Sequence, residues 1–281
     1  MRLQTTVQFS SIALSATMHR VVASCFFVYQ AENQIRIYPD VNIPKVWILN
    51  IPDKQNQQNG VYMRIIPLYP VYREANCYIA VGEGCCNSSC SNVCAVFDPG
   101  DNAERILDCA ESYGLKIEKI ILTHAHFDHI MAVNELVELT DAQVIIHKGD
   151  LQALYEPGIN LSSLVGCDYT VEKSVNVTAV EDGDKIKVGG EYLTVISTPG
   201  HTPGSACFVC GDVILTGDTL FGNNIGRTDF PGGSVGEMKE SLLKLRELCG
   251  DYTLFSGHGG ETTLSRERTH NYYLSSEFLG K

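Results

Sequence analysis

The segment Ile117-Glu118-Lys119-Ile120-Ile121-Leu122-Thr123-His124-Ala125-His126-Phe127-Asp128-His129 runs from an isoleucine-rich stretch straight into ligand-type side chains. The apolar part suits a strand buried within a sheet. His124 and His126 follow it at i, i+2 spacing, so while the chain stays extended both imidazoles project the same way and reach one point. Asp128 and His129 come where the chain is expected to leave the strand for a helix, and that turn aims them at a second point nearby. Three imidazoles and one carboxylate within six residues at a strand end are a specific signal for metal ligation.

The same arrangement recurs downstream. His201 lies in Ser197-Thr198-Pro199-Gly200-His201-Thr202-Pro203-Gly204, a stiff loop after an apolar strand. Asp218 lies in Leu215-Thr216-Gly217-Asp218-Thr219, and His258 in Ser256-Gly257-His258-Gly259-Gly260, each again just past an apolar run. Taken singly, these three also read as turn or loop residues; together they keep one place relative to a strand. Histidine and carboxylate without thiolate suit zinc, iron or manganese. Seven such ligands serve two divalent ions, which ionise water at neutral pH and polarise a carbonyl oxygen, as hydrolysis of an ester, thioester or amide requires.

Working outward, Cys77 to Val81 and Val93 to Phe97 read as a strand pair closed by the turn Asp98-Pro99-Gly100. Asp101 is expected to cap a helix running to about Ser112, with Ala103, Ile106, Leu107 and Ala110 on one face. A helix near Val133 to Leu139 and a strand Val144 to His147 follow. Lys185 to Val188, Leu193 to Ser197, Ala206 to Val209, Val213 to Leu215 and Tyr252 to Phe255 read as strands, and Val235 to Leu248 as an amphipathic helix burying Met238, Leu242, Leu245 and Leu248. The alternation predicts an α/β two-sheet sandwich flanked by helices.

Residues 1–62 are weakly patterned and end in the polar run Lys54-Gln55-Asn56-Gln57-Gln58-Asn59-Gly60, which reads as a linker or a disordered stretch. We expect them to be an N-terminal extension or an upstream start, with the folded domain at 63–281. The chain of 281 residues has a net charge of -12, and the acidic excess lies after residue 62, because residues 1–62 hold five Lys or Arg against three Asp or Glu. An acidic body disfavours nucleic acid as a partner. His19 and Arg20 interrupt the apolar residues 9–28, which speaks against a membrane span and an export signal. Eleven cysteines cannot all pair within one chain, and a reducing, cytoplasmic compartment is expected. Cys85, Cys86, Cys90 and Cys94 lack a C-x-x-C pair and read as a polar loop beside a strand. Cys207 and Cys210 have zinc-type spacing, but in a strand they face opposite ways, so core packing is expected.

The set His124-x-His126-x-Asp128-His129, His201, Asp218 and His258 resembles, in order, the ligands of the metallo-β-lactamase fold. Phe97-Asp98-Pro99-Gly100, Pro199 to Gly204, Gly217 to Phe221 and Gly226-Arg227-Thr228-Asp229-Phe230-Pro231-Gly232-Gly233 are similar to the glyoxalase II branch, the hydroxyacylglutathione hydrolases, in its short form without the C-terminal helical domain. The resemblance implies a four-layer αββα sandwich. It assigns His124, His126 and His201 to one metal, zinc in the first instance, Asp128, His129 and His258 to the other, and Asp218 to a bridge between them. It further implies that a bridging hydroxide attacks the thioester carbonyl, with Asp128 orienting it as the catalytic carboxylate. Asp98 and Arg227 match positions that support ligands from behind, and each is also a type that serves as a turn residue or an ion pair. Met131-Ala132 stand where relatives commonly carry glycine, and Gly260 and Tyr272 where the short form carries proline, so the pocket is expected to depart there. Without the helical domain, glutathione recognition is not implied. Rival readings are a persulfide dioxygenase with one iron on His124, His201 and Asp218, a class B β-lactamase, many of which carry cysteine at the position of Asp218, and a non-catalytic metal-binding protein.

Overall fold

A computed structural model of the chain describes residues 28–31, 34–37, 63–70, 74–82, 92–100 and 102–280. Contacts divide the chain into two units, Met1–Asn42 and Ile43–Lys281. In the first, β1 (Val28–Ala31) and β2 (Gln34–Ile37) pair antiparallel. Cys85, Cys86, Cys90, Asp101 and the polar run Lys54 to Gly60 lie outside the described residues.

The second unit contains two six-stranded sheets. β3 (Met63–Leu68), β4 (Cys77–Gly82), β5 (Val93–Phe97), β6 (Lys116–Leu122), β7 (Gln143–His147) and β8 (Val177–Val180) lie side by side in chain order. The β3–β4–β5 meander is antiparallel, and β5 to β8 are parallel, so α1 (Ala103–Ser112) and α3 (Val133–Thr140) serve as crossovers. The second sheet runs β16–β15–β12–β11–β10–β9, formed by β9 (Lys185–Val188), β10 (Glu191–Ser197), β11 (Ala206–Cys210), β12 (Val213–Gly217), β15 (Thr253–Ser256) and β16 (Thr262–Thr263). β12 and β15 pair parallel, joined through the two-stranded β13 (Leu220–Phe221) and β14 (Asn224–Ile225) and the helix α4 (Val235–Arg246). The chain closes with α5 (Leu264–His270) and α6 (Ser276–Leu279).

Period-2 alternation in the strands sorts side chains into three cores, which are the seams of a four-layer αββα sandwich. Ile65, Ala80, Phe97 and Ile121 of the first sheet meet Val195, Phe208, Leu215 and Phe255 of the second. On the outer face of the first sheet Ile79, Val96 and Ile120 pack with Ile106 of α1 and Leu136 of α3. On the outer face of the second, Ile214 and Leu254 pack with Met238, Leu242 and Leu245 of α4. Cys207 joins this helix-side cluster and Cys210 the inter-sheet one, the opposite faces that a three-residue separation in a strand imposes. The seven cysteines among the described residues are free thiols, and burial pushes Cys94 up to about 12. Asn102, one residue later than the expected Asp101, caps α1 by accepting from Arg105 N. α4 ends at Arg246, short of Leu248. No helix among the described residues is long and apolar enough to cross a membrane.

Phe208 is fully buried and stacks edge-on against Phe97 at 5.3 Å across the two sheets. Phe208→Ala should lower unfolding free energy by about 3–5 kcal/mol, read from denaturant melts.

Candidate metal centre

Strands β5, β6, β10, β12 and β15 each deliver a polar residue at or just beyond their C-terminal ends, at one edge of the sandwich. After β6 the backbone stays extended through His126 (φ -67, ψ 148) and turns into the short helix α2 (Phe127–Ile130). That turn separates the upstream pair His124 and His126 from Asp128 and His129. His201 follows β10, Asp218 follows β12 and His258 follows β15. Two glycines set how closely these ends approach. Gly217 has φ +47, and a Cβ there would lie 2.3 Å from Thr123 Oγ1; a Cβ on Gly257 would lie 2.1 Å from Asp218 Oδ1. Backbone without a side chain is what lets the β12 and β15 ends close on the histidine loop.

All seven sequence-derived candidates come together. Ligand atoms of His124, His126 and His201 lie within 4.8 Å of one another, as do those of His124, His129 and Asp218, and those of Asp128, His129 and His258. His124 Nε2 and His126 Nδ1 are 3.0 Å apart. Asp218 stands between the groups: Oδ1 is 3.5 Å from His129 Nε2, and Oδ2 is 3.5 Å from His201 Nε2 and 3.6 Å from His258 Nε2. His258 Nε2 is 3.3 Å from Asp128 Oδ2. His124, His126, His129, His201 and Asp218 are buried, whereas Asp128 and His258 are partly open and form the accessible side.

Electrostatics fit a cation. His126 Nε2, His129 Nε2, His201 Nε2 and Asp218 Oδ1 are buried without a hydrogen-bond partner, a costly state unless something else occupies them. Burial lowers His124 well below the imidazole range and His126 to about 3, so both rings favour the neutral form that ligates a metal. Burial also pulls on His129, but the carboxylates of Asp98, Asp218 and Asp128 outweigh it and raise it to about 10. Asp128 is pushed up by burial and pulled below the carboxylate range by His129 and His258. Where neighbouring carboxylates favour positive charge this strongly, a divalent ion satisfies the site as protons do.

The supporting residues are resolved too. Asp98 Oδ1 accepts from Thr123 N (2.8 Å), Oδ2 accepts from Thr123 Oγ1 (2.7 Å), and Oδ2 lies 3.1 Å from His129 Nδ1. Asp98 thus orients the ring of a candidate ligand, His129, from behind. At Arg227 it is the backbone oxygen that meets His201 Nδ1, at 2.7 Å; the guanidinium points out and pairs with Asp229. The sequence reading missed Asp150 and Asn76. Asp150, 2% exposed, accepts from Ala125 N (2.9 Å), Thr202 Oγ1 (2.8 Å) and Gly204 N (2.6 Å), tying the His124–His129 loop to the His201 loop. Its position just past β7, matching the other strand-end acids, was the available signal. Asn76 holds the His258 loop by donating to Ser256 O and Gly259 O. Gly232-Gly233-Ser234-Val235-Gly236 has G-x-S-x-G spacing, but Ser234 is the cap of α4, its Oγ accepting from Glu237 N, so it is no nucleophile elbow. Of the departures from the resembled pattern, Gly260 lines the pocket above the cluster, while Met131, Ala132 and Tyr272 do not.

Residues 84–258 match the profile of the Metallo-beta-lactamase superfamily. The chain belongs to this superfamily. Among superfamily relatives, the probable metallo-hydrolase YqgX of Bacillus subtilis is 32% identical over 75% of this chain and 97% of its own length. Hydroxyacylglutathione hydrolase GloC of Haemophilus influenzae is 31% identical over 65% of this chain and 88% of its own length. Of solved structures, the B3 metallo-beta-lactamase BLEG-1 superposes with TM-score 0.67 at 32% identity, covering 76% of this chain and all of that one. TTHA1623 in a di-iron-bound form gives 0.62 at 34%, covering 75% and 99%.

Asp150→Ala would strand two buried N–H groups. It should lower stability by about 3 kcal/mol in denaturant melts and weaken metal retention during dialysis against a chelator.

Proposed function

We propose that the chain is a two-metal hydrolase of thioesters or esters. The single observation carrying this is that all seven donors converge, His124, His126 and His201 in one group and Asp128, His129 and His258 in another, with Asp218 carboxylate oxygens within 3.6 Å of His129, His201 and His258. Divalent cations held here would supply an ionised water and a Lewis acid for the carbonyl oxygen. His124, His126 and His201 would hold one, Asp128, His129 and His258 the other, and Asp218 lies close to donors of both groups. Zinc and iron both suit these donors, and the di-iron form of TTHA1623 shows that a similar protein takes iron.

The chain's own residues then divide the work. Asp98 and the Arg227 carbonyl fix the His129 and His201 rings, so the donors are preorganised. Asp128, partly open and kept ionised by His129 and His258, is placed to accept a hydrogen bond from the attacking water and orient it. Aromatic walls at Phe221 and Phe230 limit water around the reacting carbonyl. The resemblance to GloC points to thioesters such as hydroxyacylglutathione-type substrates; that to BLEG-1 makes a β-lactam the proper control.

Metal analysis of purified protein, coupled to a panel of thioesters including S-lactoylglutathione, tests the reading. Two metals per chain and thioester turnover are expected, with Asp128→Asn lowering kcat about 100-fold or more. Full activity with one metal per chain, or oxygen uptake on a persulfide in place of hydrolysis, would refute it.

A further inference from the structure

The pocket over the cluster has a volume of ≈ 730 Å³, within the range that encloses a small organic ligand. Beyond the candidate ligands its walls are mainly apolar, with Phe127, Leu161, Phe221 and Phe230 against the polar Asn224 and Arg227. At the mouth stand Leu164 and Val165, 71% and 59% exposed. Large apolar side chains left in water beside a pocket mark a surface that an apolar ligand covers. They are presented on a pinned turn. Asn160, fully buried, donates to Ala153 O and Tyr169 O and accepts from Ser162 N, and Leu161 takes a left-handed backbone (φ 70) to turn the chain outward. A turn held this way covers a ligand with little ordering cost.

Free side-chain cations for an anionic substrate are lacking among the described lining residues. Among the described lining residues Arg227 is the one Lys or Arg side chain, and Asp229 takes its guanidinium in two 2.7 Å hydrogen bonds. The same guanidinium lies 3.8 Å over the Phe230 ring, so it serves the apolar wall as a lid over an aromatic face. A net charge of -12 adds a long-range penalty for anions. We infer that the site takes thioesters or esters with an uncharged, apolar acyl chain, in preference to glutathione thioesters, whose carboxylates find no free Lys or Arg among the described rim residues. The inference rests on the hydrolytic reading above and names its substrate class. In the reaction water adds across the acyl C–S bond: the C–O bond forms, the C–S bond breaks, and the departing thiol takes a proton.

Binding and turnover test this separately. With metal-loaded protein, calorimetry should find S-octyl-N-acetylcysteamine, a thioether that cannot be hydrolysed, at least tenfold tighter than its S-methyl counterpart and tighter than S-octylglutathione. Leu164→Asp should weaken the octyl compound about fivefold with melting temperature and metal content unchanged. Across N-acetylcysteamine thioesters from acetyl to octanoyl, kcat/KM should rise about fourfold per methylene, the ratio for ~0.8 kcal/mol per buried CH2. Equal affinity for methyl and octyl compounds, or tighter binding of S-octylglutathione, overturns the inference. Tight octyl binding without turnover of any thioester or of the matching octanoyl ester sustains the apolar pocket and overturns the hydrolytic reading.

Discussion

Asp98 is 1% exposed, and a carboxyl group at that depth is costly unless its oxygens are answered by donors. Thr123 answers with its backbone N–H and its hydroxyl, and His129 Nδ1 approaches from the third side. Those contacts lock the end of β6 to the end of β5, which aims His124 and His126 inward, and they turn the His129 ring so that Nε2 faces Asp218. Asp98 itself takes a left-handed backbone (φ 48), a conformation aspartate tolerates better than most residues and one that brings its carboxylate back over the strand end.

The rest of the centre extends this device. Asp150 joins the His124–His129 loop to the His201 loop, and Asn76, from the start of β4 in the first sheet, clamps the His258 loop of the second. Loops from both sheets are thus cross-tied by buried polar side chains with specific geometry, while the three apolar seams supply the bulk of the folding drive. Preorganisation matters because the unpartnered nitrogens of His126, His129 and His201 have no alternative contact to relax into.

Much of this was legible in the sequence because strand ends and ligand types coincide. Short apolar runs gave the strands around the site, and the i, i+2 spacing of His124 and His126 predicted their shared aim. Cys207 and Cys210 were read correctly as packing residues because strand alternation forbids a shared ligand face. Less visible were the supports. Asp150 makes its contacts with residues 25 and more positions away, so its place just past β7 was the one local mark it carried. β8 was missed because its Val177–Val180 side chains are mostly half-buried or exposed at a sheet edge. The Arg227 side chain was weighed where its backbone oxygen makes the contact, a distinction composition does not carry. The turn bearing Leu164 and Val165 was unread because its apolar residues face outward, against the rule that apolar means core.

The central claim is that one edge of this sandwich is built for two cations with Asp218 between them. Anomalous diffraction from crystals of the metal-loaded protein measures it most directly. Two peaks a few ångströms apart are expected, one ligated by His124, His126 and His201 and the other by Asp128, His129 and His258. A single peak at full occupancy, with Asp128, His129 and His258 unligated, would contradict the account.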